Sequence, residues 1–190
     1  MRKTKRVIKY RRRREGKTNY KNRLAHLKSG LPRLVVRHSL KNVIVQLVEY
    51  NEDGDKILFT CNSRQLIKYG WKGSKDNIPA AYLTGLLCKS KIKPGTKAIL
   101  DVGNQTLTKG NVIYAALKGA KDAGLDINFS EEILPAEDRI AGKHIEDYAK
   151  IIKETEYYKK HFSRYLKQNI DPTNISKLFE EIKNKILAKS

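Results

Sequence analysis

The stretch PRLVVRHSLKNVIVQLVEYNEDGDKILFTCN, residues 32–62, reads as three successive β-strands. After Pro32, Leu34 and Val36 alternate with Arg33, Val35 and Arg37, the period of two that buries one strand face. The β-branched run NVIVQLVEY, residues 42–50, follows across Leu40-Lys41-Asn42, a connection short enough for a hairpin. Asn51-Glu52-Asp53-Gly54-Asp55 then supplies the residues of a second reversal, and KILFTCN is the third strand. Three strands in a row make a meander.

Beyond residue 62 the period lengthens. Ser63 is placed to cap a helical stretch RQLIKYG, and residues 78–90, with Pro79 in the first turn, predict a helix with Tyr82, Leu83, Leu86 and Leu87 as its apolar stripe. Pro94-Gly95 breaks the chain. KAILDVG is then a short apolar run suited to the middle of a sheet, and NVIYAALKGAKDAG a second helix that stops at Gly124. The order β-β-β-α-β-α predicts a single α/β domain, a mixed β-sheet covered by helices with a right-handed crossover.

The C-terminal part divides in two. Residues 125–145 read as irregular and acid-rich. A long helical pattern runs from Glu146 to Leu166, and a second amphipathic helix over NISKLFEEIKNKIL has Asn174 or Thr173 as its cap. The expected organisation is therefore an N-terminal arm at 1–28, an α/β domain at 29–145 and C-terminal helices at 146–190.

Charge singles out the arm. The 190 residues carry 40 Lys+Arg against 20 Asp+Glu, a formal net charge of +20, and residues 1–28 hold 13 Lys+Arg against the single acid Glu15. Val7, Ile8, Leu24 and Leu27 are its only bulky aliphatics apart from Met1, too few to offset ordering entropy, so the arm is expected to be disordered alone and to fold on a polyanion. Arginine's planar fork bonds two phosphate oxygens at once, and Arg11, Arg12, Arg13 and Arg14 can follow a curved RNA backbone with Tyr10 and Tyr20 placed to stack on unpaired bases. Arg33, Arg37, His38 and Lys41 extend the basic surface.

Other constellations are weaker. Trp71 and Lys72, in Tyr69-Gly70-Trp71-Lys72-Gly73, suit either base stacking or a core-capping tryptophan. Thr106, Thr108 and Lys109 precede a helix whose free amides favour an anion, but the spacing of a nucleotide-binding loop is absent. The strand order is also that of ribonuclease H-like nucleases, with Asp101 at a strand end and Glu131 or Asp138 as partners for magnesium. The first strand carries Arg33, Arg37 and His38 where such enzymes place a carboxylate, which counts strongly against catalysis. Cys61 and Cys88 have no zinc-ligand spacing and read as reduced, buried residues. No run suits a membrane span and the N-terminus has no secretory pattern, so a soluble intracellular protein is expected.

Several stretches, RRRREGKTNYKNRL at 11–24, PRLVVRHS at 32–39, KYGWKG at 68–73, PAAYLTGLL at 79–87, ILDVG at 99–103, AALKGAKDAGL, and SEEILPAEDRIAGKHI through 145, occur in a telling order. In these the chain resembles the archaeal and eukaryotic branch of the L-eighteen family of large-subunit ribosomal proteins. The resemblance implies a structural protein of the cytoplasmic ribosome, without catalysis, cofactor, membrane or small-molecule substrate. Its implied partners are 5S rRNA, large-subunit rRNA and neighbouring proteins of the central protuberance. The family's RNA-contacting arm maps onto Arg11 to Arg14, Lys17, Tyr20, Lys21 and Arg23, with Arg33 and Arg37 from the sheet. The loop Asn104 to Asn111 departs from the His/Arg-Pro-Thr type of close relatives. Lacking the longer eukaryotic C-terminal extension, the chain looks archaeal.

Overall fold

The computed structural model describes residues 8–93 and 95–189; the first seven residues of the arm, Val7 included, and the expected break at Pro94 lie outside them. Two arm helices come first, α1 (Arg11–Arg14) and α2 (Tyr20–Lys28), followed by β1 (Arg33–His38), β2 (Val43–Glu49) and β3 (Lys56–Asn62). A 3-10 helix (Ser63–Tyr69) leads to α3 (Ile78–Leu86), a second 3-10 turn (Leu87–Lys91), β4 (Ile99–Asp101) and α4 (Val112–Asp122). Then come α5 (Glu137–Ala141), α6 (Lys143–Ile152), α7 (Glu156–His161), α8 (Ser163–Lys167) and α9 (Ile175–Ala188).

The strands form one mixed sheet in the order β3-β2-β1-β4, antiparallel within the meander and parallel between β1 and β4. Alternation divides its faces as the sequence leads one to expect. Leu34, Val36, Val43, Val45, Leu47, Phe59 and Cys61 enter the core, while Arg33, Val35 and Arg37 line the opposite face beneath the arm. Cys61 and Cys88 are free and fully buried.

Helices α3 and α4 cover the core face and cross at two glycines. A Cβ on Gly85 would lie 2.2 Å from the Ala116 carbonyl oxygen, and one on Gly119 would lie 2.1 Å from that of Tyr82. Backbones touch there, so the pair packs closer than side chains permit. Every residue of α3 is buried rather than a single stripe, because α9 covers its far side. Phe179, Ile182 and Ile186 of α9 join the same core as the sheet, each such burial contributing roughly 2 kcal/mol.

Several local expectations are corrected. Asn62, not Ser63, caps the 3-10 helix, accepting from the Arg64 amide while Gln65 reaches back to the Asn62 amide; the Ser63 hydroxyl is instead buried, accepting from the Val43 amide at 3.1 Å. The long helix expected from Glu146 to Leu166 is three short ones. Phe162 turns inward, 5% exposed, between Tyr158 and Tyr165, and its ring also meets Tyr148, which a straight helix would hold about 21 Å away along its axis. Neither Asn174 nor Thr173 caps α9 with its side chain. Glu146 Oε1, from α6, accepts from the Ser176 amide at 2.8 Å, a carboxylate at the positive helix end.

Candidate nucleic-acid interface

The arm is not free of the domain. Asn19 Oδ1 caps α2 by accepting from the Lys21 and Asn22 amides, and α2 then lies over the polar sheet face. Neither α1 nor α2 has a buried residue, so ion pairs hold the arm where the sequence led one to expect disorder. Arg23 makes a bidentate pair with Asp55, 2.9 Å on each side, and Asp55 also accepts from Arg33 Nη2 at 2.6 Å. Arg33 Nη1 in turn donates to Asp101 Oδ2 at 2.9 Å. One chain of charges thus runs from arm to β4.

Between arm and sheet lies a groove of about 300 Å³ lined by Arg12, Lys17, Arg23, Arg33 and Arg37, with Asp55 and Asp101 as its acids. Burial by itself would raise the Asp101 carboxyl, but the charge of Arg37 and hydrogen bonds from Arg37, Gly103 and Arg33 outweigh it and hold the group below its ordinary range. Asp55 is lowered as well, chiefly by its hydrogen bond from Arg23. Both acids stay ionised. Five cations against two carboxylates leave the groove positive.

The candidate residues fall into distinct places. Arg11, Arg12, Arg13 and Arg14 are exposed on α1, where Arg11 approaches Glu15 only at 3.9 Å and Arg12 Nε donates to Thr18 Oγ1 at 2.8 Å. Arg13 and Arg14 have no acidic partner among the described residues. Lys17 pairs with Glu15 at 2.9 Å, Lys21 is exposed on α2, and the Tyr10 and Tyr20 rings lie 5.3 Å apart. Arg37 keeps 40% of its side chain accessible beside the groove. Thr108 and Lys109 are exposed in the loop before α4, Lys109 facing Glu132 at 3.6 Å, while Lys41 and Lys72 lie outside the groove.

Three candidates change role, the first being Arg23, whose guanidinium is taken up by both carboxylate oxygens of Asp55. Arg33 is 4% exposed and spends its guanidinium on Asp55 and Asp101, so it holds the sheet to the arm rather than reaching a partner. Trp71 is 1% exposed, its indole N–H donating to the Ser74 carbonyl at 2.8 Å, which makes it the core-capping tryptophan and not a stacking platform. The nuclease arrangement is absent too. Asp101 sits between two guanidiniums, Asp138 pairs with Lys143 at 3.5 Å, and no group of three His, Cys, Asp or Glu converges among the described residues.

Sequence reasoning missed Asp55, His26 and Asn104. Asp55 read only as part of a turn; His26 lies in the groove with Nδ1 3.9 Å from Asp101, and the Asn104 amide donates to the Gly16 carbonyl, joining loop to arm. No local pattern announces these contacts.

These features define a class: an α/β protein built to present a basic, arginine-rich arm on one sheet face. The sequence profile described as "Ribosomal large subunit proteins 60S L5, and 50S L18" matches residues 4–95. The large ribosomal subunit protein uL18 of Methanococcus maripaludis is 49% identical over 183 residues, 95% of each chain. That of Korarchaeum cryptofilum is 48% identical over 185 residues, 96% of this chain and 95% of its own. The chain belongs to the uL18 family of large ribosomal subunit proteins, in its archaeal form. Membership makes it a structural constituent of the cytoplasmic ribosome in translation, not an enzyme. No helix among the described residues is long and apolar enough to cross a membrane.

Proposed function

We propose that this chain binds 5S rRNA through its arm and attaches that RNA to large-subunit rRNA in the central protuberance, beside neighbouring ribosomal proteins. The observation that carries the reading is the exposed Arg12, Arg13 and Arg14 turn of α1, without acidic partners among the described residues, at the mouth of a positive groove. Arg11 to Arg14, Lys17 and Lys21 engage phosphates, Tyr20 with Tyr10 offers ring faces to unpaired bases, and Arg37 meets the RNA from the sheet. Arg23 and Arg33 fix the arm's direction through Asp55. Pre-docking lowers the ordering cost of binding.

The test is titration of 5S rRNA with the full chain and with an Arg11 to Arg14→Ala variant over a salt series, a tRNA serving as competitor. The native chain is expected to resist the competitor. Loss of about four phosphate contacts should flatten the salt slope by roughly 3. An unchanged slope, or native affinity no higher than for tRNA, would sink the reading.

A further inference from the structure

A second concavity lies on the other side of β1. Alternation turns Arg37 toward the arm groove and His38 toward the helix face, where His38 Nε2 meets the Asp76 carbonyl at 2.9 Å. Residues 72–76, anchored there, join Lys41 of the β1–β2 turn and Arg164, Tyr165 and Gln168 around α8 to enclose about 290 Å³.

The walls are set in advance. Trp71 Nε1 donates to the Ser74 carbonyl at 2.8 Å, the Ser74 amide donates to the Tyr165 hydroxyl at 3.2 Å, and Tyr165 stands edge-on to the buried Phe162 ring at 5.7 Å. Asp76 is the one acid in the lining, and its carboxylate accepts from the Ser74 hydroxyl. Lys41, Lys72, Lys75 and Arg164 have no ion-pair partner among the described residues. Four like charges converging on one cleft repel one another until an anion enters.

We propose that this cleft, completed by Arg164 of the C-terminal segment, is a second phosphate-binding site, for an RNA strand other than the one on the arm. The inference rests on the chain's reading as an rRNA binder. Arg164 supplies a fork for two phosphate oxygens, and the lysines supply point charges for the neighbouring phosphates. The lining sets four cations against one carboxylate, and a strand with a phosphate at every nucleotide meets such a cluster at several points, which favours RNA over an acidic protein. With one basic concavity on each side of β1, the domain holds two RNA strands apart at a fixed distance.

The experiment compares the native chain, a Lys75→Ala/Arg164→Ala variant and the Arg11 to Arg14→Ala variant. Each is titrated across a salt series with 5S rRNA and, separately, with deproteinised large-subunit rRNA freed of 5S rRNA. Circular dichroism verifies that each variant is folded. The cleft variant is expected to keep its 5S affinity and to lose about ten-fold on large-subunit rRNA, its salt slope there falling by roughly 1.5 for two lost phosphate contacts. Unchanged binding to both RNAs overturns the proposal and leaves an acidic protein as the occupant; loss confined to 5S rRNA overturns it by placing both surfaces on one RNA. The arm variant reports separately, since full 5S affinity in it defeats the arm assignment and leaves the cleft result standing.

Discussion

Arg37 holds Asp101 at two points: Nη1 donates to the Asp101 carbonyl at 2.7 Å and Nη2 to its carboxylate at 3.0 Å. Arg33 takes the other carboxylate oxygen, so β4 is tied to β1 by charge as well as by its three-residue parallel register. The acid that reads most like a catalytic carboxylate is a structural counter-ion.

Replacing Asp101 by Asn removes one of the two counter-ions of a buried arginine. Uncompensated buried charge is costly, and the loss should be about 3 kcal/mol in urea unfolding at neutral pH. A loss under about 1 kcal/mol would mean that Asp55 alone satisfies Arg33.

Acid should weaken the same joint. Unfolded, Asp55 and Asp101 ionise near their ordinary value of about 4; folded, both are held lower, so the ionised form is the one that stabilises. Their contribution is complete above about pH 4 and lost as pH falls through the lower folded values. The urea midpoints of the native chain and Asp101→Asn should therefore converge as pH is lowered below about 4. A gap that stays constant there would contradict the ionic account.

Arg23→Ala should loosen the arm while sparing the core, since Asp55 stays in place for Arg33. With the bidentate pair to Asp55 gone, amide exchange in residues 20–28 should quicken about five-fold, for a pair worth about 1 kcal/mol, and exchange in β1 and β2 should stay slow. Equal acceleration in both regions would show that Arg23 supports the whole domain.

Gly119→Ala should be among the most damaging single changes. Its methyl would overlap the Tyr82 carbonyl and force α4 from α3, a cost of roughly 3 kcal/mol or more, readable as a fall in thermal midpoint. A midpoint within about 2 °C of native would mean that the crossing can slide.

The single tryptophan reports its own burial. Trp71 in the free protein should emit to the blue of tryptophan in water and resist iodide quenching, and ready quenching would return the ring to the surface.

The three meander strands, Pro79 in the first turn of α3, and the stop at Gly124 were legible because each depends on neighbours one to four residues away. The division of the C-terminal segment at Phe162 was not legible. Its helical period continues through that residue, and only the contact back to Tyr148, far along the chain, requires the turn.

The same division runs through the site. The arm's charge, its arginine turn and the alternation that puts Arg33 and Arg37 on one face of β1 are properties of the chain read in order, since like charges and a period of two need no distant partner. Which arginines remain open to an anion was settled only by folding. Asp101 stands 68 residues from Arg33 and Asp55 stands 22 from it, and they reach that guanidinium because β4 lies parallel to β1 and β3 closes the meander. Burial then makes Arg33 a joint and Trp71 a core residue, and packing brings exposed Arg164 beside a loop ninety residues away, as the 91-residue span from Ser74 to Tyr165 shows. Pairings of this kind depend on distances in space, which no local pattern along the chain encodes.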